Sequence, residues 1–341
     1  MIRNFRRLTF TVLVAVGLSG CGVTATPSAL PLTGTPSLSI SVALNAAGCD
    51  QANDCLIVGT TGVVGTPNSV AQLSHPGRSW RPLAVPTEIA TTLSAVGCNR
   101  SECLVVGSGS SGDLVWRWRA GSTRLEALVP PVNGQGALLI QCTAAQCQMM
   151  DSLASGGSSR LLISTDHGTT WTPSPLPTVP LSATTTGLAV LSPTATIITS
   201  EQSGRGSVVT ADVKNSAWVP QVLTPATNLS SFSCRLHTCW ALRHRAQGVS
   251  VVRGHFVHGQ LTMTPLTHQP TTAAEQLSCT ADGHCIASGL STSGRAWLAT
   301  YDGATWTTRD LLYVAGPFLA TACGAKRCVA TTTTTSVVVS P

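Results

Sequence analysis

Leu138-Leu-Ile-Gln-Cys142-Thr-Ala-Ala-Gln-Cys147 opens a stretch that closes, after a Gly/Ser-rich interval, on Ser164-Thr-Asp166-His-Gly168-Thr-Thr170-Trp171. The first half sets two cysteines, with four residues between them, at the ends of apolar runs, which suits the two strands of a tight hairpin. The second half is a polar turn ending on a tryptophan. Both halves recur in weaker form along the 341 residues, so 138–171 reads as one complete copy of a repeat.

Thirteen cysteines are present. Setting Cys21 aside, the others fall into close pairs: Cys49 with Cys55, Cys98 with Cys103, Cys142 with Cys147, Cys234 with Cys239, Cys279 with Cys285 and Cys323 with Cys328. In an exported chain this is a disulfide framework, each bridge stapling one hairpin. Zinc is the rival reading, but it favours shorter Cys spacing and two pairs brought together. The first cysteines step by about 45 residues, with one gap of double length. A cysteine-free copy fits that gap, Leu188-Ala-Val-Leu-Ser192-Pro-Thr-Ala-Thr-Ile197, with Ser192 and Ile197 expected at the two cysteine positions. Seven units of that period, cut into short β-branched runs by Gly, Pro and Asn, predict an all-β, seven-bladed β-propeller of four-stranded blades.

The turn half carries a resemblance. Ser164, Asp166, Gly168, Thr170 and Trp171 match the Ser-x-Asp-x-Gly-x-Thr-Trp pattern of the Asp box, or BNR repeat, of sialidase-like propellers. Decayed copies stand at Asp302-Gly-Ala-Thr-Trp306, Pro76-Gly-Arg-Ser-Trp80 and Asn215-Ser-Ala-Trp218, and Leu125 and Leu261 replace the tryptophan in two further units. The chain also resembles photosystem II assembly-factor propellers and the wider group of WD40-, YVTN- and BNR-like repeat proteins. It resembles, too, bacterial cell-surface lipoprotein propellers that repeat a Ser-Cys-x4-Cys hairpin and an Asp-box turn. The resemblance implies that the Asp accepts hydrogen bonds across the turn, the Gly takes a left-handed conformation and the Trp packs between blades.

The N-terminus has an export signature. Arg3, Arg6 and Arg7 precede the apolar segment Leu8 to Leu18, too short to span a bilayer, and Leu18-Ser-Gly-Cys21 resembles a bacterial lipobox. It implies a signal peptide over 1–20, lipidation of Cys21, a tether over 21–27 and anchoring at the outer face of the cell membrane. An ordinary secretory signal ending near a cysteine is the alternative. The propeller then covers 28–341. Its last unit ends one strand short, so the segment from Ser28 to Pro36 is expected to pair with Ser336 to Ser340 and close the ring.

The formal charge of +6 falls to +3 without the three leader arginines, too mild to argue for nucleic acid. Arginines do concentrate near the loops joining the second and third strands of the later units, at Arg160, Arg205, Arg243, Arg245 and Arg295, with His244 between two of them. From Val213 to Ala274 there is no Asp or Glu. Arginine suits bidentate recognition of carboxylate or phosphate, so Arg205, Arg243, His244, Arg245 and Arg295 are the candidate ligand-binding residues. A solvated basic edge is the alternative. His255 and His258 would point to opposite faces of a strand and have no carboxylate nearby, so neither metal nor cofactor is expected. The expected function is a non-catalytic, monomeric binding or assembly scaffold for an envelope protein, glycan or anionic polymer. The alternative is an exo-sialidase-like glycosidase using the arginines, Tyr313, and Glu275 or Glu201.

Overall fold

A computed structural model gives the fold. It describes residues 30–31, 42–61, 69–75, 80–86, 90–109, 112–131, 134–153, 159–174, 184–192, 195–202, 205–212, 217–222, 228–235, 238–245, 248–257, 260–270, 273–280, 282–310, 318–332 and 336–339. Among them all regular structure is strand. β1 (Leu30–Pro31) is followed by β2 to β5 (Val42–Cys49, Cys55–Thr61, Ser69–Ser74, Arg81–Leu83) and β6 to β9 (Ala90–Cys98, Glu102–Gly109, Gly112–Arg119, Glu126–Leu128). Next come β10 to β13 (Gly134–Cys142, Cys147–Leu153, Ser159–Ser164, Thr172–Ser174) and β14 to β17 (Thr184–Ser192, Ala195–Gln202, Arg205–Asp212, Ala217–Val222). The chain continues through β18 to β21 (Asn228–Arg235, Thr238–Arg245, Gly248–Val257, Gln260–Pro265) and β22 to β25 (Gln276–Cys279, Cys285–Leu290, Ala296–Tyr301, Trp306–Asp310). It ends with β26 to β28 (Ala320–Cys323, Cys328–Thr331, Ser336–Val339).

Each set of four pairs in chain order into an antiparallel sheet, and β26 to β28 take β1 as their fourth strand, with Leu30 opposite Val338 and Pro31 opposite Val337. The first strands of successive sheets lie side by side, β2 against β6, then β10, β14, β18, β22 and β26, and β26 lies against β2. The molecule is an all-β propeller with four-stranded antiparallel blades and a hairpin disulfide in six of them.

The second strands explain why these runs read as continuously apolar. In β3, Leu56 and Val58 pack with Leu93, Val105 and Trp116 of the next sheet. Cys55 and Ile57, on the opposite face, pack with Ala322 and Val329 of the last sheet. A strand buried on both faces has no polar side to show, and each such side chain contributes roughly 1.5–3 kcal/mol by burial. Polar groups add a second lattice in the period of the repeat. Asn45 donates to the Leu93 carbonyl at 2.9 Å, Val190 N–H donates to Gln141 Oε1 at 3.2 Å, and Thr196 Oγ1 donates to Gln148 Oε1 at 2.8 Å. Further round, Ser233 Oγ takes Cys279 N–H at 2.9 Å.

Both halves of the repeat unit are structural. The paired cysteines stand directly opposite each other, with Cα atoms 4.0 to 4.1 Å apart. At the same end of the third sheet, Asp166 Oδ1 takes Ser164 Oγ at 2.8 Å and Thr170 N–H at 2.9 Å, while Thr170 Oγ1 donates to Oδ2 at 2.6 Å. These donors hold the Asp166 carboxyl down at about 2. Gly168 has φ +82°, and a Cβ there would stand 2.7 Å from Leu104 of the preceding sheet, so both the turn and the blade contact require glycine. Trp171 packs on that sheet's core, and Leu125 and Leu261 are buried in the same role. Asp302 repeats the turn, accepting from Ala304 N–H at 2.8 Å and Thr305 N–H at 2.7 Å.

The cysteine-free sheet departs from the expected alignment. Ser192 lies opposite Ala195, and Ile197 lies opposite Ala189. The inter-sheet bond from Thr196 to Gln148 fixes Thr196 in the place next to Cys147, so Ala195, not Ile197, occupies the second cysteine position. The hairpin is two residues shorter than its neighbours.

Candidate functional site: an arginine-bearing sheet end

β19 runs from the disulfide end of its sheet to the opposite end and finishes Leu242-Arg243-His244-Arg245 before turning at Gly248, whose φ is +128°. Alternation along the strand divides these residues. Cys239 and Ala241 pack toward the preceding sheet, with Ala189, Leu191 and Ile197. Trp240 and Leu242 pack toward the following one, with Leu277 and Trp297. Arg243 and Arg245 therefore share the preceding side and His244 the following side. The three do not converge as one cluster. His244 instead shares a 2.7 Å hydrogen bond with Ser230 Oγ.

Arg243 is the unusual member. It is 9% exposed, its Nη2 donates to the Met263 carbonyl at 2.7 Å, and its buried Nε has no hydrogen-bond partner among the described residues. Burial lowers its pKa, and the neighbouring Arg245 charge lowers it further. None of the ion pairs among the described residues includes it. Arg245 is exposed beside it. Arg205 opens β16, opposite Gln202, at the corresponding end of the preceding sheet; its side chain lies outside the described residues. Arg295 is exposed at the corresponding loop of the following sheet, in the Ser291–Arg295 turn, where its N–H donates to Ser291 Oγ at 3.1 Å. Arg243 and Arg245 thus face the sheet whose same end carries Arg205 in the backbone, while His244 faces the sheet that carries the Arg295 turn.

Other candidates fall away from this end or are engaged. Arg160 pairs with the fully buried Asp151 at 2.7 Å. Tyr301 donates its hydroxyl to the Gly303 carbonyl at 2.8 Å inside its Asp-box turn. Glu275 is exposed, and His255 is exposed beside Thr238, 3.4 Å away. Cys21, the tether, Tyr313, His258 and the side chain of Glu201 lie outside the described residues. No group of three or more His, Cys, Asp or Glu suited to a metal occurs among the described residues.

The other mouth of the ring holds what the sequence reading missed. Around the disulfide hairpins lies a cavity of about 510 Å³ bordered by Cys49, Asp50, Cys98, Cys142 and Cys234. Asp50 is 1% exposed and its carboxyl is pushed up to about 6, chiefly by burial. The one sequence signal is that the Cys49 and Cys55 turn is a residue longer than most and places an acid directly after the cysteine.

Solved structures agree on the fold. YCF48 from Cyanidioschyzon merolae is similar at 14% identity with TM-score 0.59, over 89% of this chain and 96% of that one. Virginiamycin B lyase from Staphylococcus aureus matches at 11% identity and TM-score 0.62, over 92% and 98%. The propeller domain of the Trilobed protease from Pyrococcus furiosus matches at 6% identity and TM-score 0.58, over 87% and 93%. No family profile matches the chain, and no curated protein sequence does. The likeness is one of fold.

Proposed function

We propose that the chain is a lipid-anchored, extracytoplasmic propeller of seven blades, closed by its N-terminal strand, that acts as a non-catalytic binding scaffold for an anionic partner. The lipidated Cys21 holds it at the outer face of the cell membrane. The groove between the fourth and fifth blades, carrying Arg243, Arg245 and the Arg205 loop, receives the partner's carboxylate or phosphate groups.

The observation that carries this reading is the charge of Arg243. Burying a guanidinium costs several kcal/mol unless it is paired, and here its described partners are one carbonyl and a like charge. An anion in the groove supplies the missing counter-charge and an acceptor for Nε. YCF48 in complex with D1 peptide, a similar fold, holds a polypeptide, which is consistent with a binding role.

The test is binding of the full chain to soluble polyanions, one with carboxylates (polygalacturonate) and one with phosphates (polyphosphate). Arg243→Gln together with Arg245→Gln is expected to weaken binding by at least about tenfold, since each charge-assisted bond is worth about 1.5–3 kcal/mol. Unchanged binding by the double variant removes the proposal.

A further inference from the structure

The cavity at the disulfide mouth is independent of the arginine groove. Its volume of about 510 Å³ lies within the roughly 300–1,000 Å³ of small-ligand sites. Its wall is mostly apolar, with half-cystines, Val190 and Leu191 beside the neutral polar Gln51, Asn99 and Thr143, and Asp50 is the one ionisable side chain among the described residues that line it.

The charge on Asp50 exceeds what the turn requires. Its Oδ1 accepts Asp54 N–H at 2.9 Å, closing the hairpin. The residues that follow the first cysteine in other hairpins do that work without charge. Asn99 Oδ1 takes Ser101 and Glu102 N–H groups, Thr143 Oγ1 takes those of Ala145 and Gln146, and Thr280 Oγ1 takes that of His284. A neutral side chain at position 50 serves the fold equally well. The second oxygen, Oδ2, is buried with no partner among the described residues.

The surroundings offset it only in part: the Asp54 and Ala52 backbone N–H groups and the His75 ring favour the charge, and burial outweighs them. Asp54 adds like charge, and His75 is bound to Asp54 at 2.6 Å and to Arg81 at 3.1 Å. From the last sheet, Arg327 reaches the Asn53 carbonyl at 3.3 Å, and the exposed Lys326 gives its backbone N–H to Asn53 Oδ1. A buried carboxylate with an unpaired oxygen beside an apolar cavity calls for a cation with an apolar body.

We propose that this mouth binds a small organic ammonium, its cationic head on Asp50 and its apolar stem against the half-cystines, Val190 and Leu191. Turning the carboxylate about its Cβ–Cγ bond, a soft torsion, presents Oδ2 to the head group.

Calorimetric titration of the full chain at pH 7.5 with n-hexylammonium and with n-hexanol, its neutral counterpart, tests this. The ammonium is expected to bind about tenfold tighter or more. Asp50→Asn, which keeps the acceptor for Asp54 N–H, should bring the two affinities together. Ala144→Trp, at an exposed rim position, should abolish both. Equal affinities for the two probes, no binding of either, an unchanged preference in Asp50→Asn, or unchanged binding in Ala144→Trp each overturns the proposal. Because the probe comparison uses the unaltered chain, the result does not depend on how either variant folds.

Discussion

Ser192 stands opposite Ala195 where six other sheets bring two half-cystines face to face. The fourth sheet keeps two residues paired at the staple position without the sulfur. Replacing both residues, Ser192→Cys with Ala195→Cys, should form a further bridge and add about 2 kcal/mol through the short closed loop. Intact mass before and after thiol blocking, with melting curves in the presence and absence of reductant, checks it. Two persistent free thiols would show that this register is wrong.

The Asp166 turn predicts a loss confined to one blade contact. Asp166→Ala leaves Thr170 N–H and the Ser164 and Thr170 hydroxyls without their acceptor, for a cost of about 1–2 kcal/mol at neutral pH. The folded carboxyl, at about 2, lies below its ordinary 3.8, so its stabilisation is present above pH 4 and disappears as pH falls toward 2. The variant and the parent should therefore converge in acid. Denaturant titrations at pH 7 and pH 2.5 measure that difference.

Asp50 predicts the opposite dependence. Its carboxyl is raised from 3.8 to about 6 in the folded chain, so the folded state holds the proton more tightly than the unfolded one. The stability this group contributes is complete below about pH 4 and declines as pH rises through 6. Asp50→Asn should raise stability by roughly 2 kcal/mol at pH 7.5 and change little at pH 4. A melting temperature that is unmoved at pH 7.5 would contradict a buried, charged carboxylate at this turn.

Arg243 separates folding from binding. Methionine has similar reach, removes the buried charge and loses only the bond to the Met263 carbonyl. Replacing a poorly compensated buried ion by a packed apolar side chain is neutral to stabilising. Arg243→Met should keep or raise the midpoint of urea unfolding while polyanion affinity drops. A large loss of stability would assign Arg243 a purely structural role.

What the sequence reveals is what is local. A cysteine pair with four or five residues between its members, or an Asp-box turn, specifies its own geometry, and repetition in phase turns several weak signals into one architecture. Register without a disulfide is different. In the fourth sheet it is set by Thr196 reaching Gln148 of the neighbouring sheet, which no pattern inside the hairpin displays. The arginines were legible as residues on one end of the molecule, yet not as partners. Arg160 is taken by Asp151 from the adjacent strand, and strand alternation sends His244 away from Arg243. The cavity beside Asp50 arises only when hairpin ends distant in the chain meet, so its walls carry no common sequence mark.

Each bridge joins thiols only five or six positions apart. Oxidation can therefore proceed segment by segment as the polypeptide emerges, each of the six pairs free to close before the following one appears. Order of arrival would then guard against mispaired isomers, the usual hazard of a thiol-rich product, and oxidative refolding with an oxidant alone is expected to recover the native bridges.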